Sequence, residues 1–446
     1  MSAPMSRDEA QRLVERAIKM SKADGCDVSL NASITGNTRF AANQLSTAGE
    51  IEGSTFAVQS SFGPKHAVVT TDDLSDASIR RAIEQSEKLA KLSPDDPEAM
   101  PSLPPQTYVP VNAYHEVTAA CSPADRAKAA LTALEPSRKA GNVNASGYIV
   151  TGNNVSAFGN KTGLFAYFSN TTANYTLTVR TSDGTGSGWV AADDHDWSKL
   201  DYKSVSERAL DRAQRSRGAV AIEPGRYTVI LEPQAVGDLV QLLVGYIDSR
   251  SADEGRSPFL KPQGGNKIGE KIMDSRVSII SDPADPQLGG QPFDGEGFPL
   301  GRQTWIENGV LKQLFYSRFW ARKQGKVATG FPTTVKMVGG TTTTEQMIAN
   351  TERGLLVTRL WYLREVDPRT ALYTGLTRDG VFLIENGKIK NAVRNFRFNE
   401  SPIFMLNNIE ALGPTQRLAG TEGGGDVVMP VIKARDFNFT SLSEAV

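Results

Sequence analysis

Residues 225–246 read Gly-Arg-Tyr-Thr-Val-Ile-Leu-Glu-Pro-Gln-Ala-Val-Gly-Asp-Leu-Val-Gln-Leu-Leu-Val-Gly-Tyr, and the fold prediction starts from this stretch. Its first part, residues 226–231, is an apolar run typical of a strand. Directly after it, Leu239, Leu242, Leu243 and Tyr246 recur at helical spacing, which predicts a helix over residues 234–249. A strand that runs into a helix is a good place to hold metal ligands.

Downstream of residue 223 the chain has short strand-like segments, many glycines and few long helical patterns. The clearest strands are predicted at residues 305–315, 355–364, 381–384 and 389–393. Asn308-Gly309 and Asn386-Gly387 supply the positive φ angles that tight hairpins need. We therefore predict a β-rich barrel or sandwich with residues 234–249 as its main helix.

Upstream of residue 223, helical and strand-like patterns alternate, which predicts an α+β fold with antiparallel sheets and flanking helices. Within Tyr175–Arg180, for example, Tyr175, Leu177 and Val179 share one strand face. Helices are predicted at residues 8–23, 75–92, 123–140 and 202–217. Strands are predicted at 27–34, 38–44, 51–61, 66–71, 145–151, 156–160, 164–170, 174–181 and 187–192.

A polar stretch with six prolines, between residues 93 and 111, separates two parts of this N-terminal region. Proline excludes regular structure there, so the stretch is predicted to be a connector. The predicted organisation is an N-terminal α+β lobe (1–93), a proline-rich connector (94–111), a second α+β lobe (112–222) and a C-terminal β-rich domain (223–446).

The composition restricts the possible functions of this 446-residue chain. Lys and Arg total 49 against 50 Asp and Glu, a net charge of -1, which argues against a nucleic-acid partner. No apolar run reaches membrane-spanning length. The two cysteines, Cys26 and Cys121, form no metal-binding or disulfide pattern. We expect a cytoplasmic protein with no membrane segment.

Four stretches of the C-terminal region form a recognisable series. They are Gly-Arg-Tyr-Thr-Val-Ile-Leu-Glu-Pro at 225–233, Gln-Pro-Phe-Asp-Gly-Glu-Gly-Phe-Pro at 291–299, Ile-Glu-Asn-Gly-Val-Leu-Lys-Gln-Leu at 306–314, and Asp-Pro-Arg-Thr-Ala-Leu-Tyr-Thr-Gly at 367–375 leading into Gly-Val-Phe-Leu-Ile-Glu-Asn-Gly-Lys-Ile at 380–389. These four stretches resemble the TldD/PmbA family, specifically its PmbA/TldE side, and they occur in the family's order. Thr38-Arg-Phe-Ala41 and Gly186-Ser-Gly188 agree with the family more loosely.

The resemblance implies a zinc peptidase site that this chain has lost. In the family, the TldD member resembles a zinc peptidase with a His-Glu-x-x-x-His helix and a later cysteine. Pro233, Gln234 and Asp238 stand at the helix positions here. The three histidines, His66, His115 and His195, all precede this helix, and no cysteine follows residue 121. We therefore expect no catalytic residue and no metal on this chain, with zinc on a partner subunit.

Other motifs are candidates for a peptide cleft or for structural turns. Asp294, Glu296, Asp367 and Arg369 could line a cleft, although the Asp-Gly-Glu-Gly sequence at 294–297 is more typical of a tight turn than of a metal site. His195 lies among three carboxylates at 193–197, which is typical of an exposed loop. The glycine-rich segment at 420–425 lacks a following Lys-Ser/Thr, so we predict a flexible loop there rather than a phosphate cradle.

Three functions remain open from the sequence. The chain is either the non-catalytic partner of a zinc-bearing TldD-like homologue, a homodimeric hydrolase with a site unlike the family's zinc site, or a stand-alone peptide-binding protein. In the first, the resemblance implies that the pair encloses an unstructured peptide as an added strand.

Overall fold

The computed structural model of the chain describes residues 4–419 and 425–443. The predicted glycine-rich loop therefore lies outside the described residues, apart from Gly425. No helix in the described part of the chain is long and apolar enough to cross a membrane.

The N-terminal region is built on one six-stranded antiparallel sheet with the order β3-β2-β1-β4-β5-β6. Because β1 pairs with β4, the sheet joins strands of the two predicted lobes, while the domain boundaries themselves stay a prediction. The strands are β1 (Gly25–Ala41), β2 (Gln44–Phe62), β3 (Lys65–Thr71), β4 (Val143–Asn160), β5 (Phe165–Thr181) and β6 (Ser187–Asp194).

Helices cover one face of this sheet. Tyr175, Leu177 and Val179 of β5 face them, as the alternation predicts, and are fully buried. On the opposite face, Phe158 and Phe168 pack against the connector and against Phe293 of the C-terminal region. The helices are α1 (Arg7–Met20), α2 (Asp76–Leu92), α3 (Glu116–Ala119), α4 (Pro123–Ala140) and α5 (Tyr202–Arg215), with a 3₁₀ turn at Trp197–Lys199.

Three pairs of predicted short strands are single long strands, so these predictions were wrong. The predicted breaks fall at Gly36-Asn37 in β1 and at residues 152–154 in β4, where Gly and Asn favour turns. Gly36 pairs with Thr151 and the ladder continues on both sides of it. A Cβ at Gly36 would lie 2.1 Å from the buried Arg126 guanidinium. The glycine here makes space for a side chain rather than for a turn.

The C-terminal region forms an open thirteen-stranded mixed sheet and not a closed barrel. The strands are β7 (Gly225–Leu231), β8 (Ile279–Ser281), β9 (Gln303–Glu307), β10 (Val310–Leu311), β11 (Thr334–Met337), β12 (Arg353–Val357), β13 (Leu360–Asp367), β14 (Leu372–Thr377), β15 (Val381–Glu385), β16 (Lys388–Ala392), β17 (Phe396–Glu400), β18 (Ile409–Arg417) and β19 (Asp426–Leu442). Both predicted Asn-Gly hairpins are present, with positive φ at Asn308, Gly309, Asn386 and Gly387.

The helix α6 (Pro233–Val244) is the centre of the largest hydrophobic core. The predicted end at residue 249 was wrong because the chain tightens at Gly245, whose N–H bonds to the Leu242 carbonyl at 3.2 Å. Asp248 then caps a separate short helix. The remaining helices are α7 (Ser249–Asp253), α8 (Arg318–Gln324), α9 (Thr344–Ala349) and α10 (Pro402–Asn407).

One buried carboxyl makes the stability of this region sensitive to pH. Glu400, at the end of β17, is 4% exposed and accepts hydrogen bonds from the backbone N–H groups of Ser401 (2.8 Å) and Asn438 (3.0 Å). Burial raises the pKa of Glu400 from 4.5 to about 7, although these N–H groups oppose the shift. Because the folded state holds the proton more tightly, this group favours folding below pH 4.5 and loses that contribution as pH rises through 7.

We predict that Glu400→Gln, which mimics the protonated acid, is more stable relative to the native chain at pH 8 than at pH 5, by up to about 3 kcal/mol. Urea unfolding at both pH values measures this difference. Glu84→Gln, at an exposed position on α2, is the control and should show no such trend. An equal difference at both pH values for Glu400→Gln would contradict the prediction.

Candidate functional site

The candidate site lies where two parallel strands of the C-terminal sheet end side by side. β7 and β12 are parallel, with Leu231 paired to Val357. Helix α6 begins directly after β7, and Thr358 and Arg359 follow directly after β12. The Glu232 N–H donates to the Val357 carbonyl at 3.0 Å, which joins the two strand ends. Ligands commonly bind at the carboxyl ends of parallel strands, so this edge of the sheet is a candidate binding site.

The Arg359 guanidinium lies at the centre of this edge and contacts both sheets. Its carbon is 4.1 Å from the ring centroid of Trp189, on β6, and 4.8 Å from that of Trp361, on β13. Its Nη1 donates to Asp379 Oδ2 at 3.1 Å, and the Ser187 hydroxyl donates to Asp379 Oδ1 at 2.6 Å. Stacking on two indoles and pairing with a buried carboxylate fix the guanidinium plane.

The electrostatic surroundings keep this guanidinium charged inside the protein. Burial lowers the pKa of Arg359, and the carboxylates of Asp379 and then Asp238 oppose that shift. An arginine retains its proton even when such burial is substantial. The edge therefore carries a permanent positive charge that interacts with Asp238 of α6.

A second arginine connects the start of α6 to the N-terminal region. Arg212, on α5, forms an ion pair with Glu232, the residue that precedes α6. Its Nη1 also donates to the Trp189 carbonyl at 2.8 Å. The Arg212 side chain thus connects β6, which carries Trp189, to the start of α6, which carries Asp238.

Arg359, Asp379 and the two tryptophans border a cavity of about 510 Å³, which we call the Arg/Trp pocket. The even-numbered residues Thr176, Thr178 and Arg180 of β5 form one wall, on the sheet face opposite the helices. The full lining is Ser146, Gly147, Tyr148, Thr176, Thr178, Arg180, Trp189, Arg359, Trp361, Arg378 and Asp379.

The three positions that correspond to the zinc motif do not fit a zinc ion. Pro233 is the first residue of α6 and has no side-chain ligand atom. The buried Gln234 amide donates to Asp238 Oδ1 at 3.4 Å, so the two side chains interact with each other. Arg359 adds a cation beside Asp238. Zinc needs several anionic or imidazole ligands, whereas this place offers one carboxylate and a neighbouring positive charge. In the described residues, no group of three or more His, Cys, Asp or Glu side chains is arranged to hold a metal ion.

The other four candidate residues lie in turns and do not line the Arg/Trp pocket. Asp294 has the turn geometry that the sequence favoured, because its Oδ1 accepts from the N–H groups of Glu296 and Phe298, each at 2.9 Å. Glu296 pairs with Arg318 at 2.8 Å. Asp367 accepts from the Arg369 N–H at 3.0 Å in the β13–β14 turn. A role for these residues in a peptide cleft stays a prediction.

The prediction that His195 lies in an exposed loop was wrong. The residue is 5% exposed, and its two ring nitrogens contact the carbonyl oxygens of Thr171 (2.6 Å) and Leu288 (2.8 Å). Arg417 binds the same Leu288 carbonyl at 2.6 Å and Asp193 at 2.5 Å. The local run of charges is therefore a contact between the two sheets, and its pairing partners are distant in sequence.

Sequence reasoning missed Arg359, Arg378, Asp379 and the two tryptophans. A signal for the arginines was present, because Thr358-Arg359 directly follows β12 and Arg378 directly follows β14. Arg359 and Arg378 lie side by side because β13 pairs with β14, with Leu360 opposite Thr377. Trp189 joins them from the other sheet, a contact that no local pattern reveals.

The sequence matches all three domains of one family. Residues 26–90 match PmbA/TldA metallopeptidase domain 1, residues 116–217 the central domain, and residues 224–441 the C-terminal domain. The matches cover most of the chain. The protein therefore belongs to the PmbA/TldD metallopeptidase family.

Individual relatives agree with this assignment. Metalloprotease PmbA of Escherichia coli O157:H7 is 24% identical over 473 residues, with 96% of this chain and 98% of that protein covered. A metalloprotease of Methanothermobacter thermautotrophicus is 25% identical over 235 residues, or 49% of each chain. Three archaeal relatives are matched over only 30% to 49% of their own length. The crystal structure of TldE from Thermococcus kodakarensis has the same fold, with a TM-score of 0.85 at 20% identity over 96% of this chain and 99% of that chain.

We predict that the purified chain retains no stoichiometric zinc, because Asp238 is the one anionic side chain at the three motif positions and lies beside Arg359. Elemental analysis after dialysis against zinc-containing buffer tests this. One zinc per chain that is lost in Asp238→Asn, and retained in the turn variant Asp367→Asn, would contradict the prediction.

Proposed function

We propose that this chain is a PmbA/TldE-like, non-catalytic subunit that pairs with a zinc-bearing TldD-like homologue to hydrolyse unstructured peptides. The observation that carries the proposal is the edge beside α6, where Arg359 and the Gln234–Asp238 contact stand in place of metal ligands and a general base. Family membership supplies the reaction class.

The chemistry of peptide hydrolysis supports a catalytic role for the zinc-bearing homologue and a binding role for this chain. Hydrolysis at neutral pH needs an activated water, and a bound zinc brings the pKa of such a water to about 7. A glutamate beside the metal then takes the proton. The Gln234 amide cannot accept a proton in that way, and Pro233 offers no ligand. This chain's own residues at the edge are suited to binding and orienting a peptide.

The shape of the C-terminal sheet supports a partner subunit. Among the described residues, β13 pairs with β14 alone, so its second edge has no strand partner. Trp361, Tyr362 and Val366 on this strand are 36%, 51% and 52% exposed. An edge strand that displays large apolar side chains is usually covered by another chain. A TldD-like homologue in a heterodimer, or a second copy of this chain in a homodimer, would cover these side chains and leave the backbone edge of β13 to an enclosed peptide strand.

The cysteines support a cytoplasmic location for this complex. Cys26 and Cys121 are both free and buried, and burial raises the pKa of each thiol to about 11. Such thiols are unreactive and are compatible with a reducing compartment.

We expect the chain alone to cleave no unstructured peptide, whereas a mixture with a TldD-like homologue from the same organism does, and a metal chelator abolishes the activity of the mixture. A peptide-cleavage assay on each subunit and on the pair measures this. The pair in which the homologue's glutamate base is replaced is the inactive control.

Two outcomes would contradict parts of the proposal. Chelator-resistant cleavage by this chain alone, in a preparation free of other peptidases, would show a hydrolase with a different site and direct attention to its serines and threonines and to residues 193–196. If light scattering shows only homodimers when the homologue is co-expressed, the heterodimer is excluded and the homodimer remains.

A further inference from the structure

We propose that the Arg/Trp pocket binds a carboxylate group of a peptide, with Arg378 and Arg359 as its ligands. The peptide part of this inference rests on the proposed function. The carboxylate part rests on the charge, the donors and the position of the pocket.

The pocket is electropositive in a chain that has no overall positive charge. Its lining carries three arginines, Arg180, Arg359 and Arg378, against one aspartate, Asp379. The whole chain has a net charge of -1. A concave site lined mostly by one sign of charge concentrates ligands of the opposite sign.

Arg378 provides the donors that an incoming anion would meet. Its guanidinium is 27% exposed and stacks on Trp361 at 5.0 Å. Within the described ranges, the carboxylate nearest to it is Asp379 at 3.9 Å, which is beyond hydrogen-bond distance. A stacked guanidinium keeps its planar N–H groups in a fixed orientation, and this fork matches the two oxygens of a carboxylate.

Asp379 distinguishes a carboxylate from a more highly charged anion. It is 4% exposed and is bound by Arg359 and by the Ser187 hydroxyl. The Asp379 carboxylate would repel a phosphate dianion more strongly than a carboxylate ligand, because the carboxylate ligand carries half the charge.

The position of the pocket supplies the link to a peptide. Strand β13 starts at Leu360, next to Arg359, and its second edge, which pairs with no strand among the described residues, can add an extended chain. A β-bulge interrupts the β13–β14 pairing between Trp361 and Arg364, and Tyr362 within it has a φ of +57°. Bulges of this kind redirect side chains near binding sites. Here Trp361, the paired residue directly before the bulge, lies on the pocket wall.

An extended peptide that pairs with β13 would therefore bring a carboxylate to Arg378 at one end of the strand. That carboxylate has two possible sources, the free C-terminus of the peptide or an acidic side chain. Both present the same planar group to the same donors.

The test is isothermal titration calorimetry of the full chain with four N-acetylated alanine pentapeptides. One has a free C-terminal carboxylate and one its amide. The other two are amidated and carry a central aspartate or asparagine. We expect the free acid or the aspartate peptide, or both, to bind at least roughly tenfold more tightly than the matched neutral peptide, as charged hydrogen bonds require.

Two variants locate the effect. Arg378→Gln removes the charged ligand at a partly exposed position. Arg359→Lys keeps a positive charge to pair with Asp379 but lacks the planar pair of N–H donors. Each should abolish most of the preference for the carboxylate. Arg80→Gln, at an exposed position on α2, should leave the preference unchanged.

Each outcome decides a separate point. A preference for the free acid identifies the C-terminus as the source, and a preference for aspartate identifies a side chain. Equal binding of charged and neutral peptides, no binding of any of the four, or competition by inorganic phosphate as strong as by the peptides would overturn the proposal. A preference that survives both pocket variants would overturn its location.

The peptide-binding result and the subunit assay fail independently. If the pair cleaves peptides but this chain shows no preference for a carboxylate, the subunit role stands and the pocket assignment fails. If the preference is present and depends on Arg378, but no TldD-like partner is activated, the pocket stands and the subunit role fails.

Discussion

The contact of the Arg359 guanidinium with two indoles, one from each sheet, is the interaction on which the architecture of the site depends. Trp189 comes from the N-terminal sheet and Trp361 from the C-terminal sheet. Asp379 neutralises the cation and is itself bound by Ser187 of the N-terminal sheet. A buried charge is stable only when it is paired and hydrogen-bonded, so both sheets must be in place for the arginine to be accommodated.

This arrangement shows how a chain of the metallopeptidase family can keep this edge in place with residues that do not fit zinc at positions 233, 234 and 238. The backbone pairing of β7 with β12 brings the start of α6 and Arg359 together at the carboxyl ends of the two strands. In this chain Arg359 supplies a positive charge at the edge, beside Asp238. Under the proposed function, the same scaffold presents a cationic, aromatic pocket that binds the peptide, and the hydrolytic centre lies on the partner subunit.

Much of the local structure was predictable from the sequence. The strand–helix junction at 225–246 and both Asn-Gly hairpins follow from apolar spacing and turn chemistry. The alternation in β5 also predicts that Thr176, Thr178 and Arg180 lie on the sheet face opposite Tyr175, and this face forms one wall of the Arg/Trp pocket. The long strand β1 was divided wrongly because Gly36 resembles a turn signal, whereas its actual role, making space for Arg126, depends on a distant helix. The site itself could not be predicted from the sequence, because Trp189, Arg359 and Asp379 come together only in the tertiary structure.

The central claim is that a cation joins the two sheets across the site, and a double-mutant cycle on Trp189 and Arg359 tests it most directly. The free energy of urea unfolding would be measured for the native chain, Trp189→Leu, Arg359→Met and the double variant. The contact predicts a coupling free energy of roughly 1 kcal/mol or more between the two positions. Additivity of the two single changes to within about 0.3 kcal/mol would contradict it.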